Sequence, residues 1–124
     1  MTALDELIEA VETGTAPEYS MFREAHGGGT LWSQSGLPRL ALSDAWRAFN
    51  GSLDAALALH EALLPGWVAR VTTGSASAGV KYSHCTVEDW DDGTEVDANN
   101  QPTPARAWLL AVLKAYRSIQ DDNR

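Results

Sequence analysis

The chain has 124 residues, of which 44% are hydrophobic and five are Trp. This length fits one domain with a small core, so residues 1–124 are expected to form a single unit. The formal net charge is −8, from 17 acidic and 9 basic residues. A surface this acidic repels phosphate backbones and disfavours direct nucleic-acid binding, whereas it suits a protein partner with a basic surface.

The cysteine content and the first residues bear on the compartment. The single cysteine, Cys85, excludes an internal disulfide framework. Residues 1–12 are acidic and periodic, without the basic region and long apolar run of a signal peptide. No apolar stretch of the sequence is long enough to cross a membrane. We therefore expect a cytoplasmic protein with no membrane partner.

Residues 1–51 are the less regular part of the sequence. Residues 3–13 predict an amphipathic helix, because aliphatic side chains recur with helical spacing after a capping hydroxyl. Gly and Pro residues interrupt the stretch that follows, which predicts only a turn of helix at 18–24 and a short strand at 30–33. A further short helix is predicted at 45–49.

Residues 52–118 carry the clearest pattern, because each boundary has a residue suited to it. Ser52 caps a predicted helix that Pro65 and Gly66 end, and Thr103 followed by Pro opens the last helix. The predicted elements are a helix at 53–64, strands at 67–73 and 80–88, room for a short third strand at 94–96, and a helix at 103–118.

These elements predict an α/β (α+β) domain in which a small antiparallel sheet packs against helices in a helix/sheet/helix sandwich. Both long helices carry apolar stripes, and the hairpin lies between them in sequence. Leu57, Trp67, Leu109 and Val112 are therefore expected to be buried together. The predicted inner face of the helix at 53–64 consists of Leu53, Ala56, Leu57, His60, Leu63 and Leu64.

Two blocks of the second half resemble a known family. The first is Ser-Leu-Asp-Ala-Ala-Leu-Ala-Leu at 52–59 with Leu-Pro-Gly-Trp at 64–67. The second is Thr-Pro-Ala-Arg-Ala at 103–107 with Leu-Leu-Ala-Val-Leu-Lys-Ala at 109–115. With a hairpin between them, these blocks are similar to the small bacteriophage and prophage proteins of the phage ABA sandwich domain family.

The resemblance implies helices on both faces of a small sheet, a phage or prophage origin, and the cytoplasm of a bacterial host as the location. It supplies no catalytic residues. The chain departs from the family pattern at 49–51, where Phe-Asn-Gly stands in place of an aromatic residue followed by Thr-Ala.

An acidic loop follows the second predicted strand, with six carboxylates and no basic residue in ten positions. Asp89, Asp91 and Gly93 echo a calcium loop, but Asn100 stands at the twelfth position, where a bidentate Glu is needed. The loop is therefore either a solvated surface or a docking surface for a basic partner, with a metal site as the third reading. The candidate partner-binding residues are Glu88, Asp89, Trp90, Asp91, Asp92, Glu95 and Asp97.

The five Trp residues divide by position. Trp67 and Trp108 lie on predicted core faces, while Trp32 and Trp46 fall near the poorly regular segment and suit either a core or an interface. Trp90 lies inside the acidic run, where it is either an interface anchor or a lid over the hairpin.

The candidate nucleophile and base residues do not form a catalytic pair. His84 and Cys85 are adjacent in a predicted strand, so their side chains point to opposite faces of the sheet. His60 lies on an apolar helix face, where a hydrogen-bonded core histidine is commoner than a catalytic one. We expect no enzyme activity, no cofactor and no bound metal.

The expected function is that of a non-enzymatic phage or prophage accessory protein that binds a host or phage protein. Its carboxylates suit an inhibitor of a host defence nuclease or CRISPR complex, where they would compete for sites that grip phosphate. A structural or assembly protein of the virion, which would form a homo-oligomer, is the first alternative. A small enzyme with an unidentified site is the second.

Overall fold

The fold is that of a computed structural model, which describes residues 2–17, 31–75 and 81–122. These residues form five α-helices, one 3₁₀ turn and three β-strands. In chain order they are α1 (Ala3–Thr13), α2 (Leu31–Gln34), the 3₁₀ turn (Arg39–Ala41), α3 (Leu42–Phe49), α4 (Leu53–Leu63), β1 (Val68–Ser75), β2 (Lys81–Asp89), β3 (Thr94–Gln101) and α5 (Pro104–Asp122). The predicted helix turn at 18–24 lies outside the described residues, as do residues 76–79 of the hairpin connection predicted at 74–79, whereas Gly74 and Ser75 belong to β1.

The three strands form an antiparallel sheet in the order β1-β2-β3. The predicted α/β (α+β) class, with helices packed on a small antiparallel sheet, is confirmed. The fully buried side chains of the sheet all lie on one face; they are Ser83, Cys85, Val87, Ala98 and Gln101. The other face carries the polar side chains of Arg70, Thr86 and Asp97, which share one cross-strand row.

Helix α5 is the centre of the fold. It contacts all three strands on one side and α1, α3 and α4 on the other. Five consecutive residues, 109–113, are buried, so the middle of the helix is enclosed on every side. Among the described elements the layer order is therefore sheet, α5, then the remaining helices, which differs from the predicted order of helix, sheet, helix.

Helix α1 is held at its first turn and docked on α5. The Thr2 hydroxyl accepts the Asp5 N–H at 3.1 Å, and Asp5 in return accepts the Thr2 N–H at 3.1 Å, which forms a capping box. Asp5 also accepts a hydrogen bond from Arg117 of α5 at 3.1 Å. The predicted apolar stripe of this helix is buried: Leu4, Leu7, Ile8 and Val11.

The strand predicted at 30–33 is wrong, because residues Leu31–Gln34 form the short helix α2. Its Trp32 is completely buried and donates from Nε1 to the Pro17 carbonyl at 2.7 Å. The Trp32 ring also packs edge-on against Trp46 and Phe49, each at 6.0 Å between centroids. Tertiary burial of one indole therefore overrides the strand preference of Thr and Trp.

The predicted inner face of α4 is wrong at two positions. Leu57 is 45% exposed and Leu53 is 48% exposed, so Leu57 does not join Leu109 and Val112 in the core. The helix instead turns Ala55, Ala56 and Leu59 inward, toward α3 and α5. Alanines at this contact let the helices approach closely, which a leucine in their place would prevent.

Strand β3 and helix α5 extend furthest beyond their predicted ends. Strand β3 covers Thr94–Gln101 instead of 94–96, with a register shift opposite His84. At that shift Asn100 adopts a φ of 59°, and its N–H donates to His84 Nδ1 at 3.1 Å, which is the geometry of a β-bulge. Helix α5 continues to Asp122, four residues beyond the predicted end at 118.

Candidate functional site

The acidic residues predicted from the sequence meet at one end of the sheet. Asp89 ends β2 and Thr94 begins β3, so a four-residue turn at 90–93 joins the two strands. The turn closes with the Gly93 N–H donating to the Asp89 carbonyl at 2.8 Å, with Gly93 at a φ of 79°. We call residues 88–97 the acidic turn; its candidate residues are Glu88, Asp89, Trp90, Asp91, Asp92, Glu95 and Asp97.

Trp90 projects from the acidic turn into solvent. Its side chain is 69% exposed, and its Nε1 donates to the Glu88 carboxylate at 3.0 Å. The lid reading is therefore wrong, because a lid would bury the indole against the hairpin. Large exposed aromatic side chains with one satisfied polar atom are typical of interface anchors.

Besides Glu88, two carboxylates of the acidic turn accept backbone hydrogen bonds within it. Asp89 accepts the Asp91 N–H at 3.0 Å, and Asp92 accepts the Thr94 N–H at 2.8 Å. Hydrogen bonds from Thr94 lower the pKa of Asp92 below its ordinary value, because they stabilise the charged form. No group of three His, Cys, Asp or Glu residues within 2–17, 31–75 and 81–122 is arranged to hold a metal ion.

Three carboxylates of the acidic turn, Glu88, Glu95 and Asp97, lie on the polar face of the sheet. Arg70 of β1 bonds Glu88 at 3.4 Å and Glu95 at 3.2 Å. Asp97 accepts the Thr86 hydroxyl at 2.6 Å. Among the described side chains, Arg70 is the cation of both ion pairs of the acidic turn, and it pairs with only two of the six carboxylates, so the surface stays strongly negative.

A second feature, an apolar cleft of about 560 Å³, lies beside the start of β1. It opens between α4 and β1, and the indole of Trp108 from α5 lies within it. Two aliphatic residues that line it are partly exposed to solvent: Leu57 is 45% exposed and Val71 is 37% exposed. The lining residues used below are Leu57, His60, Trp67, Ala69, Val71 and Trp108.

His60 lines the apolar cleft, and both of its ring nitrogens are hydrogen-bonded. Its Nδ1 accepts from Trp108 Nε1 at 3.1 Å, so the ring proton is on Nε2, which donates to the Trp67 carbonyl at 2.8 Å. The buried imidazole therefore ties α4, α5 and the turn before β1 together. It is a structural group, as its position on an apolar helix face predicted.

Cys85 and His84 point away from each other, as their adjacency in a strand predicted. Cys85 is buried against α5, whereas His84 lies half-buried on the polar face of the sheet. Burial, with a smaller effect of the Asp97 charge, raises the pKa of the Cys85 thiol to about 12. A thiol with this pKa is protonated at neutral pH and is a poor nucleophile.

The sequence identified the acidic turn but missed the apolar cleft. The cleft forms because Leu57 faces outward and because α5 passes beneath β1, and neither relationship is encoded in local spacing. A signal was present in α4, whose apolar residues occur on more than one face and therefore exceed what a single buried stripe requires.

Among the described helices, none combines the length and the apolar character that a bilayer-spanning helix needs. No family model, no curated protein and no solved structure matches this chain. Any functional conclusion therefore depends on the acidic turn and the apolar cleft themselves.

Proposed function

We propose that this protein is a non-enzymatic binding protein of phage or prophage origin, whose partner is a protein with a basic surface. The acidic turn is the contact surface, with Trp90 as its anchor and the surrounding carboxylates as the source of attraction. The partner is a nucleic-acid-handling protein of the bacterial host, and the protein acts as its inhibitor in the host cytoplasm.

The exposure of Trp90 is the observation that supports this proposal most. An indole that is 69% exposed offers a large, rigid apolar surface to a partner, and Trp is enriched among the residues that dominate binding energy at interfaces. The turn that carries it is held by hydrogen bonds of Asp89 and Asp92 and by the strands on either side. Little conformational entropy is therefore lost when a partner covers the indole.

The charge around Trp90 specifies the kind of partner. Two of the six carboxylates of the acidic turn, Glu88 and Glu95, pair with Arg70 among the described residues, so the surface keeps a net negative charge that repels acidic proteins and attracts basic ones. Grooves that bind nucleic-acid backbones are lined with Lys and Arg. An acidic turn of this kind competes with the backbone for such a groove, which would make binding inhibitory.

Capture from a bacterial lysate at low salt tests the proposal with matched variants. The test variant carries Asp89→Asn, Asp91→Asn and Asp92→Asn. The control removes the same charge from exposed helix positions by Glu9→Gln, Asp54→Asn and Asp121→Asn. The wild type and the control are expected to retain a basic protein that the test variant and Trp90→Ala lose.

The captured partner then provides a second readout. Added protein should displace nucleic acid from that partner in an electrophoretic mobility assay, and the test variant should not. Equal capture by the two triple variants, or a partner that holds its nucleic acid unchanged, would rule out the proposed function.

A further inference from the structure

The two edges of the sheet, β1 and β3, differ in how well they are protected against pairing with an additional strand. Strand β3 carries the bulge at Asn100, and Lys114 donates to the Asp97 carbonyl at 3.4 Å. Strand β1 pairs with β2 through eight consecutive residues, from Val68 opposite Glu88 to Ser75 opposite Lys81, with no register shift. No other described strand pairs with β1. Regular, unprotected edges are templates for strand pairing, and proteins usually block them with bulges or Lys.

The apolar cleft lies along this open edge. Ala69 and Val71 of β1 face the cleft, and successive side chains of any strand added beside β1 would alternate between the cleft and the polar face. Both ring nitrogens of His60 are engaged, and Glu61, the charged side chain of the lining, is exposed to solvent, so the cleft holds no free buried polar side chain among the described residues to orient a small polar ligand. The unpaired edge of β1 instead supplies backbone donors and acceptors, which an extended peptide can use.

We propose that β1 is a docking edge, where an extended segment of a protein partner adds as a fourth strand and places large apolar side chains in the apolar cleft. This inference rests on the proposed function, because it assigns a binding mode to the same kind of partner. Val68 lies opposite Glu88, so the start of β1 adjoins the acidic turn. The segment therefore carries Lys or Arg at the end that lies beside Val68.

A second copy of this chain fits the edge less well than such a segment. If β1 of another copy paired here, the side chains turned toward the cleft would be those of Ala69, Val71 and Thr73. These small residues do not fill a cleft of about 560 Å³ between Leu57, Trp67 and Trp108. Two chains of net charge −8 also repel each other, whereas a basic segment is attracted.

A designed peptide tests the docking edge directly. The probe is a short peptide with blocked ends in which Leu alternates with Thr, followed by a pair of Lys at the C-terminus. An antiparallel strand continues the existing sheet and places that C-terminus beside Val68. Fluorescence anisotropy measures its affinity, and amide hydrogen exchange by NMR should show added protection at alternate residues of β1.

Three comparisons decide the outcome. N-methylation of the peptide amides that face β1 should weaken binding at least about tenfold, because it removes backbone hydrogen bonds. N-methylation of the amides on the opposite edge of the peptide should not. Val71→Lys should weaken binding by more than about tenfold, because its side chain lines the apolar cleft and would place a charge where the Leu side chains of the peptide must be buried. The matched control Thr72→Lys carries the same charge on the opposite face of β1 and should change affinity less than about twofold.

Several results would overturn the docking edge: no binding of the peptide, equal effects of the two N-methylated sets, or equal effects of the two Lys variants. Self-association of the protein that Val71→Lys abolishes would assign the edge to a second copy. A peptide with Gln in place of Lys separates the two proposals. If it binds as tightly as the Lys peptide, the docking edge stands and the proposed role of the acidic turn fails.

Discussion

Val68 and Glu88 lie opposite each other in the antiparallel ladder of β1 and β2. This pairing places the first residue of the open edge strand beside the acidic turn. The apolar cleft begins at the preceding residue, Trp67. One end of the sheet therefore combines a backbone edge that no other described strand pairs with, an apolar cleft and a strongly negative turn, which together suit a basic, partly apolar protein partner.

Two leucines of similar chemistry should differ strongly in their contribution to stability. Leu109 of α5 is completely buried, so Leu109→Ala should lower the free energy of unfolding by about 2–5 kcal/mol. Leu57 of α4 is 45% exposed, so Leu57→Ala should cost about 1 kcal/mol or less. Urea denaturation measures both. A loss below about half a kcal/mol for Leu109→Ala would mean that α5 is not the core helix.

The Cys85 thiol should be unreactive in the folded protein. Its pKa is raised from 9.0 to about 12 by burial, which lowers the thiolate fraction at pH 8 by about a thousandfold. A colorimetric disulfide reagent should therefore label the native protein far more slowly than the protein unfolded in guanidinium chloride. Similar labelling rates in the two states would show that Cys85 is accessible.

Asp5 should make stability depend on acid pH. Hydrogen bonds from the Thr2 backbone, the Thr2 hydroxyl and Arg117 lower the pKa of Asp5 below 3.8. The unfolded state therefore takes up a proton first as the pH falls. The stabilisation by Asp5 is complete above the ordinary Asp pKa and is lost as the pH falls through the lower folded value.

Asp5→Asn tests this dependence. The variant should unfold at a lower urea concentration than the wild type at neutral pH, and the difference should disappear as the pH falls through the lowered folded-state pKa of Asp5. Glu9→Gln, an exposed position on the same helix, is the control for loss of a negative charge. A difference for Asp5→Asn that persists unchanged to low pH would exclude the capping box and Arg117 as its cause.

The acidic turn should bind calcium weakly or not at all. Asp89 and Asp92 already accept backbone N–H groups, and Asn100 occupies the position of the closing bidentate ligand with its backbone in the left-handed region. Isothermal titration calorimetry with calcium chloride should give a dissociation constant above about 0.1 mM. A low-micromolar dissociation constant would show instead that the acidic turn is a calcium-binding site.

The sequence predicted elements where local chemistry determines the backbone. Helices α1, α4 and α5 begin at the caps that Thr2, Ser52 and Thr103 supply, and each cap hydroxyl accepts an N–H three residues on. The β-hairpin was predicted from β-branched residues with small residues between them. These signals act within a few residues, so they are readable without knowledge of the fold.

The structural features that the sequence did not predict share a different cause, which is contact between residues far apart in the chain. The sequence did not predict which face of α4 is buried. Leu53 and Leu57 lie on one apolar face and Ala55 and Leu59 on another, and only contact with α3 and α5 decides between them. Helix α2 depends on the burial of Trp32 between distant aromatic rings. The length of β3 depends on pairing with β2, because its Asp and Asn residues have low strand propensity.

The association rate with the captured partner tests the central claim most directly. The triple variant Asp89→Asn, Asp91→Asn, Asp92→Asn should associate about tenfold more slowly than wild type at low salt, and with a weaker dependence on salt, because exposed charges mainly steer encounter. The control triple variant, Glu9→Gln, Asp54→Asn, Asp121→Asn, should stay near the wild-type rate. If the acidic-turn variant associates as the control does across the salt series, the acidic turn is merely solvated and the proposed binding surface is wrong.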